Sequence, residues 1–315
     1  MNAEFIYRGS MVRESPQQQI QELTALRDPA FVRAVVEAGK DVRDELAVFG
    51  SGAHQLTATL GAWEHGLSHW PTTPDAALTA FLLASLGDST VRDAVMVALA
   101  ATAQRSLMGA VGLGVVRADE CQEVLVPRTW YGGNQANCCP LPLAKDLKGN
   151  FLTAADDFSK ILVGDITRSR NAQNAGTVTG NNVKGRVTGN QRKLSGKAAA
   201  RAAYKGSTPR AQGPDWERLD RAEPLLQFLA RSTQGQDRAP VLCILGWIQW
   251  CKGRGTWAGH YFAASHESQP GYKLAGLLDQ LLAVGYIAEC AKDRRTAWQG
   301  YGAKNGGARS QSDVA

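Results

Sequence analysis

The sequence is short of the patterns that mark common chemistry. None of its six cysteines, Cys121, Cys138, Cys139, Cys243, Cys251 and Cys290, forms a Cys-x-x-Cys pair. Adjacent cysteines such as Cys138 and Cys139 rarely pair with each other, and three of the others fall in helix-like segments. The set reads as free thiols of a reducing cytoplasm rather than a disulfide framework. A zinc site built from Cys121, Cys138 and Cys139 is the minor alternative, and no metal or cofactor is expected. The first residues, MNAEFIYRGSMVRESPQQQ, contain no apolar run of the kind a secretory signal needs. The most apolar stretch, Val95 to Val116, has the length of a membrane span but carries Gln104, Arg105 and Ser106 at its middle. A central Arg costs about 2.5–3.5 kcal/mol on insertion scales. The expectation is therefore a buried helix of a cytoplasmic protein, with no membrane partner.

Catalytic groupings are equally scarce. No Ser-His-Asp, Cys-His or paired-carboxylate arrangement falls on common elements, and Asp156-Asp157 has no base near it in sequence. His65 and His69 stand four apart on one predicted helix, a spacing that suits a metal, but both point away from the apolar stripe, and Glu64 does not complete a His-Glu-x-x-His motif. A solvated helix face is the reading. Gly109 to Gly114, GAVGLG, resembles a phosphate loop, yet a helix precedes it and none follows, so it reads as a flexible helix terminus. Nothing argues for an enzyme.

Acidic residues are almost missing from one segment. Residues 160–210 hold 11 Lys and Arg against one acidic residue, Asp165, a net of +10. Residues 1–159 hold 12 basic and 18 acidic residues, a net of −6, and residues 211–315 hold 12 and 10, a net of +2. These three values sum to the overall +6. The basic block includes a nine-residue tandem repeat, GTVTGNNVK followed by GRVTGNQRK, from Gly176 to Lys193. Its apolar side chains beyond threonine methyls are Val178, Val183 and Val187, too few to hold a hairpin. It reads as a duplicated tether. The candidate phosphate contacts are Lys184, Arg186, Arg192, Lys193, Lys197, Arg201, Lys205 and Arg210. Such residues on an irregular chain neutralise phosphates without reading base sequence. Tyr204 is the one aromatic side chain among them. LSGKAAARAAYK is helix-competent.

What is present is helical periodicity on both sides of that block. Asp28-Pro29 is an N-cap followed by Pro at the first helical position, opening a helix that ends before Gly50. Leu56, Leu60, Trp63, Leu67 and Trp70 recur at spacings of 4, 3, 4 and 3, a core-facing stripe. Thr73-Pro74 opens a third helix, stopped by Gly87, with Leu78, Phe81, Leu82 and Leu86 inward. Asp88 or Ser89 caps a fourth, with Val91, Val95, Ala98, Leu99 and Thr102 inward and Asp93 in its first turn. Arg92 is expected to pair with an acidic group on a neighbouring helix. Helices resume at Trp216, with Leu219, Leu226, Phe228 and Leu229 as anchors and Pro224 expected to kink or restart the helix. Three more follow, in APVLCILGWIQWCK, GTWAGHYFAASHES and PGYKLAGLLDQLLAV, the last stopped by Gly285.

The predicted fold is mainly α: a multi-helix bundle with a tetratricopeptide-like C-terminal hairpin, interrupted by a long Gly/Asn/Lys-rich basic insertion. The expected divisions are 1–112 helical, 113–213 irregular and largely disordered, 214–298 helical and 299–315 a tail. The hairpin resembles one tetratricopeptide unit, with Leu245-Gly246, Gly253, Ala258 and Phe262 on that repeat's signature positions. Gln249 and Ser265 depart from it, standing where the repeat has an aromatic residue and an alanine. Trp247, Trp250, Trp257 and Tyr272 form an aromatic group. Trp247 and Trp250 share a face; the group is read mostly as core, with Trp247, Trp250 and Tyr272 the candidates for an interface with a protein partner.

The stretch from Ala239 to Tyr286 resembles the C-terminal segment of an actinobacterial family, domain of unknown function 4192. The shared features are a Trp-rich helix, a Gly turn, an Ala-rich helix, a Pro-x-Tyr and a Leu-rich helix ending at Gly. Val91-Arg92-Asp93 and WERLDRAEPLLQFLA resemble further parts of it, so the likeness covers roughly 55–112 and 214–288 and leaves out the basic middle. The family's Leu-Gly-Phe motif, which precedes a sheet-like region, has no counterpart here. The resemblance implies a fold and an actinobacterial or actinophage setting, and assigns no chemistry. The functional expectation is a non-enzymatic interaction or scaffold protein with an unknown protein partner. The alternative is an accessory protein whose basic segment holds nucleic acid nonspecifically.

Overall fold

The computed structural model describes residues 15–24, 28–48, 52–117 and 213–300. All the regular structure among them is helical. Six helices precede the basic block: α1 (Pro16–Thr24), α2 (Pro29–Val48), α3 (Gly52–His69), α4 (Ala76–Ser85), α5 (Ser89–Ala100) and α6 (Ala103–Gly112). Five follow it: α7 (Trp216–Arg231), α8 (Ala239–Cys251), α9 (Gly255–Ser268), α10 (Lys273–Ala283) and α11 (Glu289–Lys292), with a 3₁₀ turn at Gly235–Asp237.

Short polar side chains start these helices by accepting backbone N–H groups that the first turn leaves unpaired. Asp28 accepts from Ala30, Asp88 from Thr90 and Val91, and Asp215 from Arg218. Three starts differ from the sequence reading. The third long helix begins after Asp75, whose carboxylate accepts from Leu78, rather than at Thr73-Pro74. The apolar run from Val95 to Val116 is two helices, because the chain leaves helical geometry at Ala101 and Thr102. Thr102 is exposed and caps α6 through Arg105 N–H, so it is not the inward residue its spacing suggested. Ser15 and Gln18 make reciprocal bonds at the start of α1, a capping box not among the expected helix starts. Pro224 lies within a continuous α7 and does not restart it.

The two groups of helices share one hydrophobic core. Helix α2 packs on α4, and α3 packs on α4, α5 and α6. Helix α7 sits against α8 on one side and α3, α5 and α1 on the other. Leu56, Leu60, Trp63 and Leu67 of α3 are buried, as are Leu219, Leu225, Leu226 and Leu229 of α7. Phe228 of α7 meets Phe31 of α2 and Trp70 after α3, each edge-on at 5.9 Å between ring centroids. Asp215 donates its backbone N–H to the Ala100 carbonyl at 2.7 Å, so the chain re-enters the described body beside the end of α5.

Helices α8 and α9 form the tightest pairing. Gly246 makes that approach feasible: a Cβ there would lie 2.5 Å from Phe262 Cε1 and 3.1 Å from Tyr261 Cβ. Gly253, at φ +74°, turns the chain between them. Both departures from the tetratricopeptide pattern have partners. Ser265 donates its hydroxyl to the Ala239 carbonyl at 2.8 Å, and Gln249 donates its amide to Glu223.

Candidate functional site

The polar groups of the interior gather where α7 meets the end of α8. Asp220 and Glu223 lie three apart on α7, on one face. Lys252 follows the last residue of α8, and its side chain is fully enclosed. Its ammonium stands 2.6 Å from Glu223 Oε2 and 2.8 Å from Asp220 Oδ1, and 4.8 Å from the centre of the Trp298 ring. The Asp220 contact is short but poorly aligned, so it acts as Coulombic attraction more than as a hydrogen bond. Glu223 also accepts from Gln249. A buried ammonium is tolerated because two carboxylates and an aromatic face replace its water. This cluster cross-links α7, α8 and the C-terminal turn, and leaves Asp220 Oδ1 and Gln249 Oε1 buried without a hydrogen-bond partner.

A second group joins the N-terminal helices to the C-terminal ones. Arg92 forks onto Asp93 Oδ1 at 2.7 and 3.0 Å and donates to the Tyr272 hydroxyl at 3.0 Å. The partner of Arg92 is thus its own neighbour and a phenol 180 residues away, not an acid on an adjacent helix. Asp93 lies one residue beyond the first turn of α5 and serves Arg92 there. Burial raises the Tyr272 phenol pKa, against the pull of Arg92. The nearby Cys243 thiol is pushed up by burial and is inert. Arg218, on the buried face of α7, forms a bidentate pair with Glu64 and donates to the Ala98 carbonyl at 2.7 Å. These contacts bind α3, α5 and α7 together.

His65 and His69 stack at 4.0 Å between ring centroids, tilted by 35°. His65 is half-buried and His69 exposed. Burial, then the neighbouring His69, lowers the His65 pKa. No group of three metal-competent side chains occurs among the described residues. The GAVGLG stretch runs through the end of α6, and Gly114 turns the chain at φ +72°. A shallow cleft beside it is lined by Gln55, Leu56, Asp88, Thr90, Val91, Val115 and Val116, with the Asp88 carboxylate already used as a cap.

Lys184, Arg186, Arg192, Lys193, Lys197, Arg201, Lys205 and Arg210 lie outside the described residues, as do the repeat and Cys121, Cys138 and Cys139. The aromatic group is placed differently from a surface anchor. Trp247 and Trp250 are buried inside the α8 contacts, Trp250 donating its indole N–H to the Tyr286 carbonyl at 3.0 Å. Tyr272 is half-buried and holds Arg92. They sit inward because α8 is wrapped on all sides, so sharing a helix face does not bring either Trp to the surface.

The exposed apolar side chains of this region lie one helix further on. Leu277 is 59% exposed, Val284 78% and Ile287 54%. Leu277 lies on α10, Val284 is the residue that caps its end and Ile287 follows, while the half-buried Leu281 packs against the core and Ala275 and Leu278 are buried.

Residues 189–288 match the family model of a domain of unknown function, DUF4192. The DUF4192 domain spans α7 to α10, so it contains both carboxylates of the Lys252 cluster, the α8–α9 hairpin and the exposed face of α10. It does not extend to residues 55–112. It begins at Gly189, within the second unit of the tandem repeat, and so takes in the end of a basic segment that the resemblance had left out. No curated protein and no solved structure matches the chain. Among the described residues, no helix is long and apolar enough to cross a membrane.

Proposed function

We propose that this chain is a non-enzymatic interaction protein whose DUF4192 domain presents α10 to an amphipathic helix of a protein partner. The observation that carries the reading is the exposed Leu277 of α10 with Val284 at its cap and Ile287 beyond, flanking the half-buried Leu281. Anchors at i, i+4 and i+7 are what a helix-in-groove contact uses. Its exposed apolar residues lie together on α10 and the turn that follows it, unlike the scattered exposed side chains ordinary in a monomer. The buried charged groups meanwhile are occupied in holding helices together. On this reading the α8–α9 hairpin is a tetratricopeptide-like unit, supported by the close approach at Gly246, and it props α10 outward. The family resemblance and the free thiols suit the cytoplasm of an actinobacterium or of a cell infected by its phage.

Photo-crosslinking residues placed at positions 277 and 284 test this in cells. The expected result is one discrete protein adduct from both positions, none from position 44 on α2, and loss of the adduct in Ile287→Asp. Equal, heterogeneous labelling from all three positions refutes it.

A second reading rests on the net charge of +10 in residues 160–210, part of which falls within the DUF4192 match. Here the basic segment is a nonspecific tether to nucleic acid. If Lys184, Arg186, Arg192, Lys193, Lys197, Arg201, Lys205 and Arg210 all meet duplex phosphates, the log–log salt slope approaches about −7. Unchanged affinity after deletion of residues 171–213 excludes the tether.

A further inference from the structure

The end of α8 and the short α11 bring two thiols together across 39 residues of chain. Cys251 is the last residue of α8 and is buried, whereas Cys290, in α11, is half-buried. The Cys290 thiol donates to the Cys251 carbonyl oxygen at 3.5 Å, and the two thiols stand close enough to perturb each other's pKa. Neighbouring contacts hold this register. Trp250 donates to the Tyr286 carbonyl at 3.0 Å, Thr296 donates to the Cys290 carbonyl at 3.0 Å, and a Cβ on Gly253 would stand 3.7 Å from Ala291 Cβ. Neither thiol has a role in the Lys252 cluster, although Cys251 precedes Lys252 directly.

We propose that Cys251 and Cys290 are a peroxide-responsive pair that closes to a disulfide and fastens the C-terminal turn to the end of α8. The two sulfurs are unequal in the way such pairs require: a reactive thiol is partly accessible and rich in thiolate, with a resolving thiol beside it. The neighbouring Cys251 thiol, with N–H groups of Cys290 and Ala291, lowers the Cys290 pKa against the effect of burial. Burial raises that of Cys251, so Cys251 waits as the protonated partner. In the first step the Cys290 thiolate attacks one oxygen of hydrogen peroxide. An S–O bond forms, the O–O bond breaks, and the departing hydroxide takes the proton released by Cys290 and leaves as water. In the second step Cys251 sulfur attacks the Cys290 sulfenic acid. The S–S bond forms, the S–O bond breaks, and the hydroxide leaves as water with the Cys251 proton. Two thiols are oxidised and one peroxide is reduced to two waters.

The test uses the full chain, exposed to hydrogen peroxide, then unfolded in the presence of an alkylating agent and mapped by mass spectrometry. The expected result is a Cys251–Cys290 cross-link reversible by dithiol, with the other four of the six cysteines alkylated. Before oxidation, Cys290 labels on the order of tenfold faster than Cys251 or Cys243, which wait for local opening. The Cys121→Ser, Cys138→Ser, Cys139→Ser triple variant keeps the cross-link, and Cys290→Ser, checked for an unchanged melting transition, loses it. Cys290 recovered as sulfinic acid with Cys251 still alkylatable overturns the proposal. So does Cys290 labelling no faster than Cys251.

Discussion

Gly246 and Gly259 belong to facing helices, yet the same substitution is expected to act on them with opposite sign. Alanine is the better helix former at both by about 1 kcal/mol. At Gly259 a Cβ meets nothing within 4 Å, so Gly259→Ala keeps that gain and stabilises by about 0.5–1 kcal/mol. At Gly246 a Cβ would stand 2.5 and 2.7 Å from two ring carbons of Phe262. Phe262 is fully buried. Overpacking of a closed core costs about 1–3 kcal/mol, and a rigid ring at this distance belongs at the upper end. Subtracting the helix gain leaves Gly246→Ala destabilised by about 1–2 kcal/mol. Urea unfolding followed by circular dichroism reads both. With a slope of about 3 kcal/mol/M, the Gly246→Ala midpoint falls by roughly 0.3–0.7 M and the Gly259→Ala midpoint rises. Two upward shifts would refute the close approach of α8 and α9. Adding Phe262→Leu to Gly246→Ala should recover part of the loss, because the two sites share one contact.

Lys252→Met leaves Glu223 and Asp220 without their cation and should cost about 3–5 kcal/mol in the same assay. Glu223→Gln added to it should restore part, and a loss no larger than that of an exposed lysine would contradict the buried cluster. A protease site inserted between Gln191 and Arg192 should give two fragments that co-elute on size exclusion until denaturant unfolds both, since Arg218–Glu64, Arg92–Tyr272 and the common core join them. Separation without denaturant is the contrary outcome. His65 should titrate below 6.5 by NMR. A depressed histidine favours the neutral form in the folded state. Its contribution is therefore complete above the unfolded value and declines as pH falls through the folded one. His69→Ala, which removes the like charge beside it, should move the His65 midpoint back upward.

The caps and stripes were legible because they are local. Asp28, Asp88 and the Leu56–Leu67 stripe act over one to four residues, and their positions in the structure follow from spacing alone. Thr102 was misread because its spacing prolongs the stripe of α5, and whether a threonine continues a helix or caps the next depends on where the chain must turn. Glu223 left a readable sign: it stands four residues after Leu219 and three before Leu226, on the buried face of α7. Arg218 left the same sign, standing seven before Leu225. A charge on an apolar face calls for a partner, but nothing in the spacing says which. Gln249 and Ser265 were visible as departures from a repeat pattern, with their partners on other elements.

Sequence by itself therefore determined the helical class, most helix starts, the charge asymmetry and the pairing of α8 with α9. All of these rest on interactions within a few residues or on composition. Tertiary structure decided which aromatic residues are core and which apolar ones stay outside. Trp247 and Trp250 are enclosed because α8 is surrounded on every side, and Leu277 and Val284 are exposed because, among the described residues, α10 packs on α9 and α8 through its other face. It also decided the pairings of Lys252 with Glu223, Arg92 with Tyr272, and Cys251 with Cys290. Those contacts join residues 29, 180 and 39 positions apart, and such distances are closed by packing of the whole chain, which no local pattern encodes.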